Sequence, residues 1–292
     1  MQQVLREFLK RLLPHKLVQT IKEKRKAQRQ DKRFAISQGK DFLHKVEALE
    51  QSFSIYLNPY LNGGVDEVIY ETGTWEPEII DLIKKYLPPG GTFVDIGANI
   101  GFHSLFAASV TGARGTVLSF EPLPRLQQQL ERSLIENNFT QVTIEPVALG
   151  KVSGVATLSL VEENIGASSL QNVAGDRAVG GAVEVPVRTL DSYQDKLDRL
   201  DLIKIDIEGS EFEALKGGEA ILRMYQPVII LEFSPHVYEK DYAGKSLALY
   251  EYLTSLGYTI TDIEKQVSDI EDKLRSGQLA PLHTNLLCIP MK

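Results

Sequence analysis

From about residue 76 onward, short runs of β-branched and other apolar residues alternate with stretches of helical period, and this alternation limits the fold more than any other feature. Thr92–Ile96, Thr116–Phe120, Val142–Val147, Leu202–Ile207, Val228–Phe233, Tyr258–Asp262 and Asn285–Ile289 read as strands. Trp75–Leu87, Gly101–Val110, Leu123–Asn137, Glu211–Met224 and Ser246–Leu256 read as helices, the first stopped by Pro88-Pro89-Gly90-Gly91. Strands that are apolar almost throughout, joined by helices, imply a mostly parallel sheet covered on both faces: a doubly wound α/β fold. Such a sheet binds its ligand beyond the carboxyl ends of its strands, where strand order reverses. Val155–Leu160 and Val183–Val187 read as strands with no helix between them. The Gly-, Ser- and Asn-rich stretch 161–182 reads as a long loop of the kind that covers binding sites.

Charge divides the chain. Residues 1–50 hold 13 Lys/Arg and 6 Asp/Glu, a net of +7, whereas the remaining 242 hold 19 and 33, a net of −14. We read 1–50 as a basic helical extension and 51–292 as one domain. Val4, Leu5, Phe8, Leu9, Leu12 and Leu13 recur at helical spacing, with Arg6, Lys10 and Arg11 between them and Pro14 ending or kinking the helix. Lys22–Arg33 is nearly all polar, as in a solvated helix or a tether. Charges interrupt the apolar positions too often for a signal peptide. Two readings of residues 1–33 stand side by side: peripheral contact with an anionic membrane surface, or packing on the domain or on a sister subunit of a homo-oligomer. Nucleic acid fits poorly, because the main domain is acidic and the basic segment lacks interleaved aromatics. No run of 18 apolar residues exists to span a bilayer, and the single cysteine, Cys288, excludes an intrachain disulfide framework. These features fit a cytoplasmic protein, with or without contact to the inner face of a membrane.

Phe93-Val94-Asp95-Ile96-Gly97-Ala98-Asn99-Ile100-Gly101 combines a strand, a glycine turn and a helix start. Gly97 allows backbone angles closed to other residues, and Gly101 sits where the helix must pack close to the strand. Twenty residues past Gly101, Glu121 ends the next strand, where a carboxylate can accept both hydroxyls of a ribose. Asn99 stands where a dinucleotide site has its second glycine, which disfavours a pyrophosphate. Asp95, facing the ligand, would repel phosphate and attract an ammonium group. A ligand with adenosine, a ribose diol, an α-ammonium and no phosphate fits, and S-adenosylmethionine is that ligand. The bland alternative is that Asp95 caps the following turn and Glu121 is a surface residue.

Lys204, Asp206 and Glu208 lie two apart on an otherwise apolar strand and so share one face. Lys204 can pair with Asp206, leaving Asp206 and Glu208 to face the cleft, where close carboxylates can hold a polyhydroxyl substrate or supply a general base. A buried ion pair that only fixes register is the alternative. Ser210-x-x-Glu213 has the spacing of a capping box. Glu232 ends another apolar run and His236 follows it, as a base or as a solvated loop residue; His103, beside the glycine turn, reads as helix-start packing.

These segments resemble the FkbM-type family of S-adenosylmethionine-dependent methyltransferases over roughly Trp75 to the C-terminus. Phe93–Gly101, Phe120-Glu121-Pro122 and Leu202–Glu211 carry the resemblance, together with Arg188-Thr189-Leu190-Asp191 and Asn164-x-Gly166-x-Ser168-Ser169-Leu170. It implies a seven-stranded Rossmann-like sheet with a reversed final strand. It also implies O-methylation of a hydroxyl on a sugar, glycan or secondary metabolite. Asp95, Gly97, Ala98, Asn99, Gly101 and Glu121 then form the cofactor site. Asp206, Glu208, Glu232 and His236 are the candidates for the base, with Asp206 and His236 first. No His-rich cluster points to a metal. Two rivals remain: an NAD(P)-dependent oxidoreductase or epimerase, and a non-catalytic scaffold on the same fold.

Overall fold

The computed structural model describes residues 15–161, 168–170, 179–234, 244–263, 270–276 and 284–291. His236, the amphipathic positions 4–13 and most of the 161–182 loop lie outside the described residues. A helix, His15–Ser37, precedes β1 (Phe42–Ala48) and β2 (Gln51–Leu57). Helices Pro59–Asn62, Gly64–Thr72 and Pro77–Tyr86 lead to β3 (Thr92–Ile96), helix Phe102–Thr111, β4 (Thr116–Phe120), helix Pro124–Asn137 and β5 (Val142–Glu145). Next come β6 (Ala148–Leu149), β7 (Gly154–Val161), β8 (Val179–Arg188) and β9 (Leu202–Ile205). Helices Glu211–Lys216 and Glu219–Tyr225 precede β10 (Val228–Phe233). Helix Lys245–Ser255, β11 (Tyr258–Asp262), helix Ile270–Arg275 and β12 (Thr284–Pro290) complete the described elements.

Seven strands form one sheet in the order β11-β12-β10-β9-β3-β4-β5, in which β12 alone runs antiparallel to its neighbours. The doubly wound α/β reading therefore holds, including the reversed final strand. The chain leaves β3 toward β4 and β5, then crosses back to β9 on the other flank, so order reverses between β3 and β9. Phe93 and Leu202 belong to a core under the helices Pro77–Tyr86, Phe102–Thr111 and Pro124–Asn137. Val94, Ile96, Phe120, Ile203 and Ile205 belong to a second core, with Ala214 and Leu215 from helix Glu211–Lys216. Strand alternation thus gives every side chain near the strand tips one of two faces; the site uses both.

Several elements differ from the sequence expectation. The division at residue 50 falls in the turn of a hairpin, since β1 pairs with β2 up to Ala48↔Gln51. Asp41 also pairs with Arg125 and Arg132 of helix Pro124–Asn137, tying residues 41–48 to the main body. The helix His15–Ser37 is exposed from Lys24 to Arg29 but docks at its far end, with Arg33 bonded to Glu67 and Phe34 edge-on to Tyr60. No described helix is long and apolar enough to cross a membrane. The expected strand Val142–Val147 ends at Glu145, and Ala148–Leu149 leaves for a separate three-stranded sheet, β6-β8-β7. The expected helix Glu211–Met224 breaks at Gly217-Gly218. A Cβ on Gly217 would lie 2.1 Å from the Gly150 carbonyl oxygen, and one on Gly218 2.8 Å from Leu190, so close packing here excludes larger residues.

Candidate active site

The site begins where β3 meets β9. Gly97 has φ +85°, and a Cβ there would lie 2.0 Å from the Asp206 carbonyl oxygen and 2.9 Å from Ile207 Cγ2. The turn after β3 is thus pressed against the turn after β9, which only glycine permits. Gly97, Asn99 and Gly101 all have positive φ. Gly101 is required by Leu130, whose Cδ1 would lie 2.1 Å from an added Cβ; its close partner is the helix Pro124–Asn137, not the strand.

Every amide of this turn has a partner inside the protein. Gly97 and Ala98 donate to the Phe120 carbonyl, and Gly101 donates to Ala98. Asn99 N–H donates to Glu121 Oε2 at 2.9 Å, and Ile100 N–H to Asn99 Oδ1 at 2.8 Å. A pyrophosphate on such a turn is held by free amides; residues 97–101 offer none. Glu121 Oε1 also accepts from Leu123 N–H at 2.9 Å. Burial lifts the Glu121 carboxyl to about 7, against the pull of the Leu123 and Asn99 amides.

A cleft opens beside this turn. Gly97, Asn99 and Glu121 line it. Leu123, Leu126, Val147, Ala148 and Leu149 give it an apolar wall that reading for charge and glycine had not singled out. Its roof is the segment 168–170. Ser169 pairs with Ser159 of β7 through both backbone bonds, and its hydroxyl donates to the Glu208 carbonyl at 2.6 Å. Ser168 and Leu170, on the other side of this extended stretch, both line the cleft. The described end of the motif in the long loop, residues 168–170, thus reaches the cleft.

Asp95 does not line the cleft. It is fully buried on the face shared with Phe93, where Oδ2 accepts from Ser104 Oγ at 2.6 Å and the carboxylate also takes the Ser104 backbone N–H. It braces the first turn of the helix Phe102–Thr111 and does not cap the turn after β3, because strand parity turns it away from the face that carries Ile96 and Phe120; Glu121, in turn, is buried and not a surface residue. Ala98 and Gly101 likewise support the turn from behind and do not line the cleft.

Beside Asp95 the structure gathers a buried charged row. Lys204 pairs in register with Asp95 and donates to Asp206 Oδ2 at 3.1 Å. Burial would lower the Lys204 ammonium, but Asp206, Asp95 and Glu76 together raise it. Burial would raise Asp206, yet the Lys204 charge and a hydrogen bond with Glu232 hold it below the usual carboxylate range. Glu232, from the next strand, is driven well up by burial and by the Asp206 charge. The two shifts run in opposite directions, so a proton shared by the pair favours Glu232 over Asp206. The Asp206 side chain keeps 31% exposure and lines the cleft, so it is the member that a ligand can reach. Glu208 sits in the turn at φ +51°; it adds negative charge beside Glu232 but does not line the cleft.

Two residues outside the first selection, His103 and Glu76, join this row. His103 is buried, with Nε2 3.6 Å from Glu76 Oε2, and burial followed by the Lys204 charge holds its imidazole well below the usual range. His103 thus stands neutral beside Asp206 and is more than helix-start packing. Ser210 does not form the expected capping box. Glu211 serves instead, its Oε1 accepting from Ile207 N–H at 3.2 Å and Gly209 N–H at 3.0 Å.

Residues 95–260 match the profile of the methyltransferase FkbM domain. The chain is 26% identical over 257 residues to the AMB antimetabolite synthetase AmbE of Pseudomonas aeruginosa, a match covering 75% of this chain and 11% of that protein. It is 32% identical over 179 residues to the methyltransferase sdnD of Sordaria araneosa, covering 51% of this chain and 69% of that one. It is 24% identical over 157 residues to the hexuronic acid methyltransferase AglP of Haloferax volcanii, covering 53% and 61% respectively.

Proposed function

The chain belongs to the FkbM methyltransferase family, and from that premise we propose that it moves a methyl group from S-adenosylmethionine to a hydroxyl of a sugar, glycan or secondary metabolite. The observation that carries the cofactor part is the chemistry of the turn after β3. Its amides are all spent within the protein, while a carboxylate, Glu121, lies on the cleft wall. That donor set suits a nucleoside without phosphate. Each Glu121 oxygen has one amide partner and a second lone pair to accept a ribose hydroxyl. Leu123, Leu126, Val147, Ala148 and Leu149 flank the space that a purine ring would fill. The relative named for hexuronic acid supports a sugar among the acceptor classes.

S-adenosylmethionine, when bound, supplies a methyl carbon made electrophilic by its sulfonium. The chain must bring an acceptor oxygen into line with that carbon and remove the oxygen's proton. Asp206 is placed for the second task. It is ionised, reachable from the cleft, and braced on both sides by Lys204 and Glu232. A held-down carboxylate is a weak base, but the acceptor proton becomes strongly acidic as the oxygen gains its third bond, so a weak base suffices late in the transfer. Lys204 keeps the charge on Asp206, and Glu232 holds the orientation of its carboxylate.

Glu121 gives the test. Accepting hydroxyl hydrogen bonds favours its ionised form, so S-adenosylhomocysteine should bind more tightly as pH rises through about 7. Glu121→Ala should weaken binding by about tenfold or more at pH 8 and flatten the pH dependence. Calorimetric titration at pH 6 and pH 8 reads both effects. Unchanged affinity and an unchanged pH profile in the variant would remove Glu121 from the cofactor site.

A further inference from the structure

Ser210 is 2% exposed, and its Oγ has no hydrogen-bond partner among the described residues. A buried hydroxyl without a partner is unfavourable, so one that lines a cleft calls for a ligand atom. Ser210 does line the cleft, as do Val147 and Leu149. Its hydroxyl makes no capping hydrogen bond to the helix Glu211–Lys216 that begins beside it.

The flank of the cleft it occupies follows from the two faces of the sheet. Helix Glu211–Lys216, which starts at Ser210, packs Ala214 and Leu215 into the core that holds Ile96, Phe120 and Leu149. The helix ends at Gly217, pressed on the Gly150 carbonyl directly after Leu149. This flank carries Val147 and Leu149 of the apolar wall, whereas Leu123, Leu126 and Ala148 pack in the other core. The charged row of Asp95, Lys204 and Asp206 belongs to the other face.

We propose that Ser210 is a donor-binding residue whose hydroxyl hydrogen-bonds the nucleoside half of the methyl donor. The inference rests on the reading of the cleft as an S-adenosylmethionine site. A serine hydroxyl both donates and accepts, so it can meet either a ring nitrogen or the exocyclic amine of a purine.

Calorimetric titration of the wild type, Ser210→Ala and Ser210→Val with S-adenosylhomocysteine and with adenosine tests it, alongside thermal melts of all three. Ser210→Ala should melt close to the wild type and bind both ligands about five- to tenfold more weakly, the factor expected for one lost hydrogen bond. Ser210→Val, which adds bulk at the same point, should bind more weakly still. Equal affinity of the wild type and Ser210→Ala for S-adenosylhomocysteine would overturn the proposal while leaving the cofactor reading in place. Weakened S-adenosylhomocysteine with unchanged adenosine would overturn the assignment to the nucleoside half. Failure of the wild type to bind S-adenosylhomocysteine at all would instead overturn the cofactor reading.

Discussion

Asp206→Asn should lower turnover by about two to four orders of magnitude, the range for loss of a positioned general base, while S-adenosylhomocysteine affinity stays within about threefold. The substitution keeps the shape of the side chain and an oxygen that can accept from Lys204 Nζ, which now lies 3.1 Å away. It removes the charge that would take the acceptor proton. It also leaves the Lys204 ammonium facing only Asp95 and Glu76 among the carboxylates that now raise it, and breaking a buried pair destabilises the fold. A modest fall in melting temperature is therefore expected, and turnover must be compared below the variant's unfolding range. Glu232→Gln provides the contrast. It retains a hydrogen-bond donor toward Asp206 and should cost far less turnover, because Glu232 acts through Asp206. Unchanged turnover in Asp206→Asn, with any acceptor that the wild type methylates, would exclude Asp206 as the base.

Gly97→Ala is expected to abolish cofactor binding and to lower stability by several kcal/mol, through two separable causes. One is conformational: φ at Gly97 is +85°, and a side chain there costs roughly 1–2 kcal/mol. The other is steric. The new Cβ would lie 2.0 Å from a backbone oxygen of the turn after β9, and neither backbone can move without opening the junction of β3 and β9. Gly73→Ala isolates the first cause, since Gly73 is left-handed at φ +74° and has nothing within 4 Å of an added Cβ. Chemical denaturation of both variants should show the smaller loss in Gly73→Ala, with S-adenosylhomocysteine binding intact there and lost in Gly97→Ala. Similar losses in the two, with binding retained in both, would mean that the close approach at Gly97 matters little.

The parallel sheet was legible because its strands are apolar throughout and its helices are closed by glycine or proline. The place of the site followed from the reversal of strand order, and Gly97, Asn99, Glu121 and Asp206 do line one cleft. Asp95 was misplaced because its face depends on which helix covers β3, and strand parity alone does not name that helix. The apolar wall left no signal because Val147, Ala148 and Leu149 cannot be told from core by residue type. His103 joined the charged row only through contacts with Glu76 and Lys204, distant in sequence. The hairpin at the N-terminal side left a usable signal, the alternation of Phe53, Ile55 and Leu57, all buried. Ser210 was read as a cap because its spacing to Glu213 fits one, yet its hydroxyl makes no capping bond, and Glu211 accepts from the amides of Ile207 and Gly209 in the turn before the helix.

The central claim is that the cleft between β3, β4 and β9 takes a phosphate-free nucleoside ligand. Titrating the wild-type protein in parallel with S-adenosylhomocysteine and with NAD tests it most directly. Saturable one-site binding of S-adenosylhomocysteine with no measurable heat from NAD is the predicted result; saturable binding of NAD with none of S-adenosylhomocysteine would contradict it.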